Sequence, residues 1–213
     1  MSDGTMADVP RSTRSSRVRE RILDAASQLI MQDGFSATSV DAVLASAGAS
    51  KGAFFHHFPS KEALGCAVVE RYAADDIALI ERLLSEAADA SSNPAEQYLS
   101  FLRAYEDVAE QLPLEQTGCL FASFAYDRLP ADGATRDVIA AATGTWRALV
   151  RGKVEEALAA RGASADVDAA ALADQLFVVY EGGLVLARIT GEPGLLTTQL
   201  AQYRRHVESL LAT

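Results

Sequence analysis

The sequence predicts an all-α protein of nine helices in two domains, a short three-helix head followed by a longer helical body. Three observations predict it. No stretch alternates apolar and polar residues over a useful strand length, apolar residues recur at helical spacing along nearly the whole chain, and glycines and prolines fall between those periodic segments. With 213 residues, 49% of them hydrophobic and 23% charged, the chain is long and apolar enough to bury a core and is not a disordered polymer.

The first sixteen residues are rich in serine and arginine and are expected to form a disordered arm, 1–16. From 17 to 33, Val18, Ile22, Ala25, Ala26, Leu29 and Ile30 make one apolar stripe, stopped by Gly34. Ser39 caps a second helix with an inner face of Val40, Val43, Leu44 and Ala47, and Gly48 breaks it. The third runs through "SKGAFFHHFPSKEAL" (50–64), capped by Ser50 and stopped by Pro59. These three form a domain at 17–59. Ser60 caps the long fourth helix, which reaches about Ala90 and opens a second domain, 60–213; Leu64, Val68, Tyr72, Ile80 and Leu83 are among its buried positions. Helices at 94–111, 118–129, 133–161, 168–190 and 194–212 follow, separated by turn-forming segments.

The last two helices carry a 3.5-residue seam. Leu172, Leu176, Val179, Gly183 and Leu186 form one line; Leu196, Leu200, Tyr203, Val207 and Leu210 form the other. Helix eight has a second line through Phe177, Tyr180 and Leu184, and a helix apolar on two sides is buried on two sides. These seam residues are expected to build an isologous homodimer, with packing of both faces inside one chain as the alternative.

The net charge is −10, but it is unevenly spread. Between Pro10 and Lys61 stand seven basic and four acidic residues; beyond them stand 12 basic and 23 acidic ones. A basic head on an acidic body suits contact with a polyanion at one end only. The run "LFVVYEGGLVLARI" (176–189) is too short to span a bilayer and carries Glu181, so no membrane anchor is expected. The N-terminus has no apolar block of the secretory kind, and two cysteines make no disulfide framework; both point to the cytoplasm.

His56 and His57 raise the question of a metal. Adjacent helical residues point about 100° apart, whereas a shared ion needs spacing of three or four, so neither a metal nor a cofactor is expected. No nucleophile elbow, HExxH, phosphate loop or CxxC is present, so no catalysis is expected either. Two short helices around the small-residue turn Gly48–Ala49 instead make a helix-turn-helix. Phe54 and Phe58 face inward, leaving Ser50, Lys51, Gly52, His56 and His57 outward at a helix end suited to the major groove. Spacing alone fits a DNA-reading helix or a surface helix that is polar on one side.

The segment "TSVDAVLASAGASKGAFFHHFPSKEAL" (38–64) resembles the DNA-binding domain of the TetR/AcrR family of bacterial transcriptional regulators, whose motif runs T-x-x-x-I-A-x-x-A-G-V-S-x-G-T-L-Y-x-H-F-x-S-K-E-x-L. With the first helix the resemblance covers about 45 residues; "TGCLFASFAYD" and "EGGLVLARITGEP" look like segments of some members. It implies an N-terminal helix-turn-helix head and a C-terminal helical ligand-binding and dimerisation domain. It also implies a homodimer on double-stranded operator DNA, usually a repressor released by a small-molecule effector, with the fourth helix tilting to separate the heads. By position, Thr38 and Ser39 match phosphate contacts, Ser50, Lys51 and Gly52 the base-reading end, and His56, His57 and Lys61 further contacts. Ala53 and Phe55 replace the family's Thr and Tyr and remove two hydroxyls, leaving Phe55 an apolar contact to a thymine methyl or sugar. Protonation of either histidine would raise operator affinity as pH falls from about 7.5 to 6.

For the effector, the aromatic residues Tyr98, Phe101, Tyr105, Phe121, Phe124, Trp146, Phe177 and Tyr180 are candidates to line a pocket, with plain core as the alternative. Glu181 and Arg188, in an otherwise apolar helix, need partners: each other across a dimer, or for Glu181 a cationic or hydrogen-bonding ligand. Cys119 opens the sixth helix, where the helix dipole lowers a thiol pKa; thiol sensing through it or Cys66 is a second route of release. A helical enzyme or small-molecule carrier with an apolar pocket is the rival reading.

Overall fold

The computed structural model describes residues 11–112, 118–127, 133–161 and 167–212. Among them the elements are α1 (Arg11–Asp33), α2 (Val40–Ala47), α3 (Lys51–His57), α4 (Lys61–Ala90), α5 (Pro94–Glu110), α6 (Leu120–Tyr126), α7 (Ala134–Arg161), α8 (Ala169–Thr190) and α9 (Gly194–Ala212). The described residues contain no strand.

Serine punctuation builds the head. The hydroxyl oxygens of Ser39, Ser50 and Ser60 each accept the backbone N–H three residues on, from Ala42, Ala53 and Ala63, and so start α2, α3 and α4. Gly48 ends α2 in the left-handed region at φ 57°; its N–H reaches the Ala45 carbonyl and that of Ala49 reaches Leu44, a Schellman closure. That closure turns the chain within two residues and sets α3 across α2. Phe54 and Phe58 are buried 5.7 Å apart in the head core with Ile22, Ala26, Val43 and Leu44, while Phe55 is 59% exposed.

Two helices have boundaries that differ from expectation. α1 begins at Arg11, so the last six residues of the expected arm 1–16 are helical; residues 1–10 lie outside the described set. No glycine or proline interrupts Arg11–Asp33, and Ser15 Oγ lies 3.3 Å from His57 Nε2, giving the extension a tertiary partner. The expected sixth helix, 118–129, is described only as far as Asp127; it begins at Leu120, with Cys119 at the cap position, and ends at Tyr126.

In the body, α4, α5, α7, α8 and α9 pack as a bundle around Leu83, Tyr98, Phe101, Val150, Leu176 and Leu200. The seam assigned to dimerisation turns out to hold α8 against α9 within one chain. Leu176, Gly183, Leu196, Leu200, Tyr203 and Val207 are buried there, and a Cβ on Gly183 would come within 2.8 Å of Leu196. Tyr203 donates to the Leu172 carbonyl at 2.8 Å and pairs with the Tyr98 hydroxyl at 2.9 Å. Val179 and Leu210 pack against the same core. A 3.5-residue repeat reports that a helix has a partner, and here the partner is the next helix of the same chain. Of the assigned residues only Leu186 is exposed, and it joins a different face of α8: Val178 (66% exposed), Val185 and Ile189 (75%). By length and composition α8 could cross a bilayer, yet Leu172, Ala173, Leu176, Leu184 and Ala187 are buried against the rest of the chain.

Candidate nucleic-acid interface and effector cavity

The outer surface of α3 presents Lys51, Gly52, Phe55 and His56 together, with Ser50 at its start and Ser39 at the parallel start of α2. All six are exposed. Two helix N-termini, two serine hydroxyls still able to donate, and a smooth glycine surface can approach phosphate and base edges. Lys51 Nζ is 3.0 Å from Asp41 Oδ1 with both side chains well exposed. An exposed pair of this kind contributes well under ~1 kcal/mol, so Lys51 exchanges it readily for a nucleic-acid acceptor.

Three expected contacts sit elsewhere. Thr38 is buried and its hydroxyl donates to the Gly34 carbonyl at 2.8 Å, so it shapes the α1–α2 loop. Lys61 Nζ donates to the Ser36 carbonyl at 3.2 Å and lies 4.6 Å from the Phe35 ring centre, bound to that same loop. His57 turns toward Ser15 of α1. Desolvation, then the charges of His56 and Arg19, holds its pKa below the ordinary histidine value, against a smaller upward pull from Ser15. The expected gain in DNA affinity at acid pH is correspondingly smaller.

The α1–α2 loop is also where the head meets the body. Phe35 stacks on Phe124 of α6 at 4.9 Å, and its ring lies over Gly65 of α4 so closely that a Cβ there would meet it at 2.6 Å. Asp127, at the end of α6, accepts the Ser36 N–H at 2.7 Å. Arg188 of α8 donates to the Met31 and Gln32 carbonyls at 3.0 and 2.6 Å, capping the C-terminal end of α1 with positive charge. The family resemblance implies coupling through α4; α6 and α8 grip the head as well.

Between α6 and α8 lies a cleft of about 240 Å³, with Ala122, Leu184, Val185 and Ile189 as apolar walls and Arg188 on its margin. Cys119 and Glu181 line it and also line a second, interior cavity of about 20 Å³, room for one water. That interior cavity is walled by Tyr72, Asp76, Tyr105, Phe121, Trp146, Phe177 and Tyr180. Of the expected pocket residues, Tyr105, Cys119, Trp146, Phe177 and Tyr180 are therefore brought together. Phe101 and Phe124 are fully buried and line neither cavity: Phe101 stacks with Tyr98 and Tyr105, and Phe124 with Phe35. Phe121, also among the aromatic candidates, lines this cavity too, whereas Tyr72 and Asp76 were missed. The legible signal was Asp76 itself, an acidic residue one turn from Tyr72 and one turn before Ile80, on the line of α4 read as buried.

Burial sets the chemistry of this cavity. It raises the Asp76 carboxyl to about 6, and it also raises Glu181, where the charge of Asp76 adds to the effect and a hydrogen bond from Cys119 partly offsets it. The Glu181 Oε1 atom is buried without a hydrogen-bond partner. Cys119 does occupy a helix N-terminus, and the Ala122 and Phe121 N–H groups favour its thiolate, but burial and the Glu181 carboxylate outweigh them and push the thiol well up. The expected reactive thiolate is thus reversed at this position. Cys66, half-buried on α4, lies 3.8 Å from Glu70.

Comparison with known proteins covers both halves of the chain. Residues 22–68 match the model for bacterial regulatory proteins of the tetR family, and residues 94–203 match the tetracyclin repressor-like C-terminal domain. The transcriptional regulator AcuR of Cereibacter sphaeroides is 28% identical over 95% of this chain and 94% of its own. The repressor NemR of Escherichia coli K12 is 28% identical over 92% and 94%. A crystal structure of regulatory protein TetR from Rhodobacter sphaeroides superposes with a TM-score of 0.72 at 28% identity, covering 89% of this chain and 98% of that one. With the head, the body and the whole fold matched in one family, the chain belongs to the tetR family of bacterial regulatory proteins and is a DNA-binding transcriptional regulator.

Proposed function

We propose that this regulator is a homodimeric repressor that holds double-stranded operator DNA through α3 and lets go when a small molecule enters the α6–α8 cleft. The observation that carries the release half is that the two helices lining the cleft are also those that grip the head, through Asp127 to Ser36 and Arg188 to Met31 and Gln32. A ligand that parts α6 from α8 shifts the end of α1 and the loop before α2. Two heads then no longer match major grooves about 34 Å apart. DhaR of a Mycobacterium species, 25% identical over 81% of this chain, and NemR are both named repressors, which supports the sign of the regulation.

In this reading Ser39, Ser50 and the helix-end amides position the phosphate backbone, Lys51 and Gly52 meet base edges, and Phe55 and His56 flank them. The second protomer packs on the exposed α8 face of Val178, Val185, Leu186 and Ile189. Footprinting on the DNA upstream of the regulator's own gene tests the whole proposal. The expected result is one protected site with two related half-sites; a single unpaired half-site would contradict the dimeric part, and uniform weak protection the operator part.

A further inference from the structure

The interior cavity is unusual in having acids and no bases. Asp76 of α4 and Glu181 of α8 face Tyr72 of α4, Tyr105 of α5, Cys119 of α6 and Tyr180 of α8, while α7 contributes the Trp146 ring. Among the described residues neither carboxylate has an ion-pair partner, and Glu181 Oε1 makes no hydrogen bond at all. A carboxylate so placed is costly unless a proton or a cation joins it. The walls favour the cation, because tyrosine and tryptophan ring faces attract positive charge most strongly where water is excluded.

Resting on the reading of the body as an effector domain, we propose that the effector is an organic ammonium cation whose charged group sits between Asp76 and Glu181 against the rings of Tyr72, Tyr105, Tyr180 and Trp146. The interior holds only about 20 Å³, so the ammonium group enters by rotating Glu181, and its apolar substituent stays in the 240 Å³ cleft beside Leu184 and Val185. Neutral and anionic molecules leave both carboxylates uncompensated. The ligand also explains release: its apolar substituent fills the cleft that Arg188 lines and displaces the residue that ties α8 to the end of α1. Burial raises both carboxyls, so acid protonates them and opposes the cation, which displaces those protons as it binds.

The test is isothermal titration of the full-length protein with tetramethylammonium, benzyltrimethylammonium, benzyl alcohol and benzoate at pH 7.5 and 5.5, in wild type, Asp76→Asn and Glu181→Gln. Thermal melts establish that the variants are folded. The expected result is saturable binding of benzyltrimethylammonium at one per protomer, about tenfold or more tighter than benzyl alcohol. Affinity falls at pH 5.5, protons are released on binding, and Asp76→Asn loses about tenfold. No binding of either ammonium, equal binding of benzoate, or an unchanged affinity in folded Asp76→Asn overturns the proposal. Operator release by benzyltrimethylammonium is read in parallel on the footprinted site. A protein that binds the cation but no operator contradicts the regulator reading alone, whereas one that binds operator but no ammonium contradicts this inference alone.

Discussion

Lys51 and Lys61 carry the same charge and flank the same short helix, yet the structure gives them different work. Lys51 stands exposed at the start of α3 with an easily exchanged partner, whereas Lys61 is fastened to Ser36 and Phe35. Lys51→Ala is expected to reduce discrimination between operator and unrelated duplex by about 1–3 kcal/mol, measured by fluorescence anisotropy competition. Asp76 yields a second prediction. Its folded pKa of about 6 lies above the model-peptide value of 3.8, so the native state binds more protons between those limits. Its favourable share of stability is complete below the unfolded value and lost as pH rises through about 6. At pH 7.5, Asp76→Asn is therefore expected to raise the unfolding free energy by about 1–3 kcal/mol, and to do little at pH 4; an equal effect at both would contradict the assignment. Little of this was legible in the sequence. The partners of Thr38, Lys61 and Arg188 are backbone carbonyls, which every residue carries, so no side-chain pattern marks them. Cys119 was placed at its helix terminus, but the carboxylate beside it lies 62 positions away on α8.

At the scale of elements the sequence was read more fully, because caps and breakers act locally. Ser39, Ser50, Ser60, Gly48 and Pro59 each stop or start a helix where the pattern places them. Gly48 is held at φ 57° with nothing crowding its Cβ position, so Gly48→Ala isolates the cost of the left-handed conformation. A loss of about 1–2 kcal/mol in urea unfolding is expected. Which face of a helix meets which neighbour was not legible. The α8 and α9 seams have the period of a helix pair, and periodicity is identical whether the partner lies in the same chain or another. Only the observed burial of Leu176, Leu200 and Val207, beside the exposure of Val178 and Ile189, separates the two.

For the molecule as a whole, the charge asymmetry falls on the domain boundary: the basic segment is the helix-turn-helix head and the acidic excess belongs to the body. Among the described residues, Val178, Val185, Leu186 and Ile189 form an exposed apolar face on α8. Ile189→Asp combined with Val178→Asp is expected to turn the proposed dimer into a monomer in sedimentation velocity and to weaken operator binding by about tenfold or more, as two half-sites no longer act together. The central claim, that α3 reads DNA in a sequence-selective way, is tested most directly by anisotropy titration of the footprinted site and a scrambled duplex at about 50 and 200 mM salt, with wild type and Lys51→Ala. Affinity is expected to fall steeply with salt for both duplexes, with a wild-type preference of about 10³-fold or more for the site and loss of much of that preference in the variant. Equal affinity of the wild type for both duplexes, or a preference untouched by Lys51→Ala, would contradict that claim.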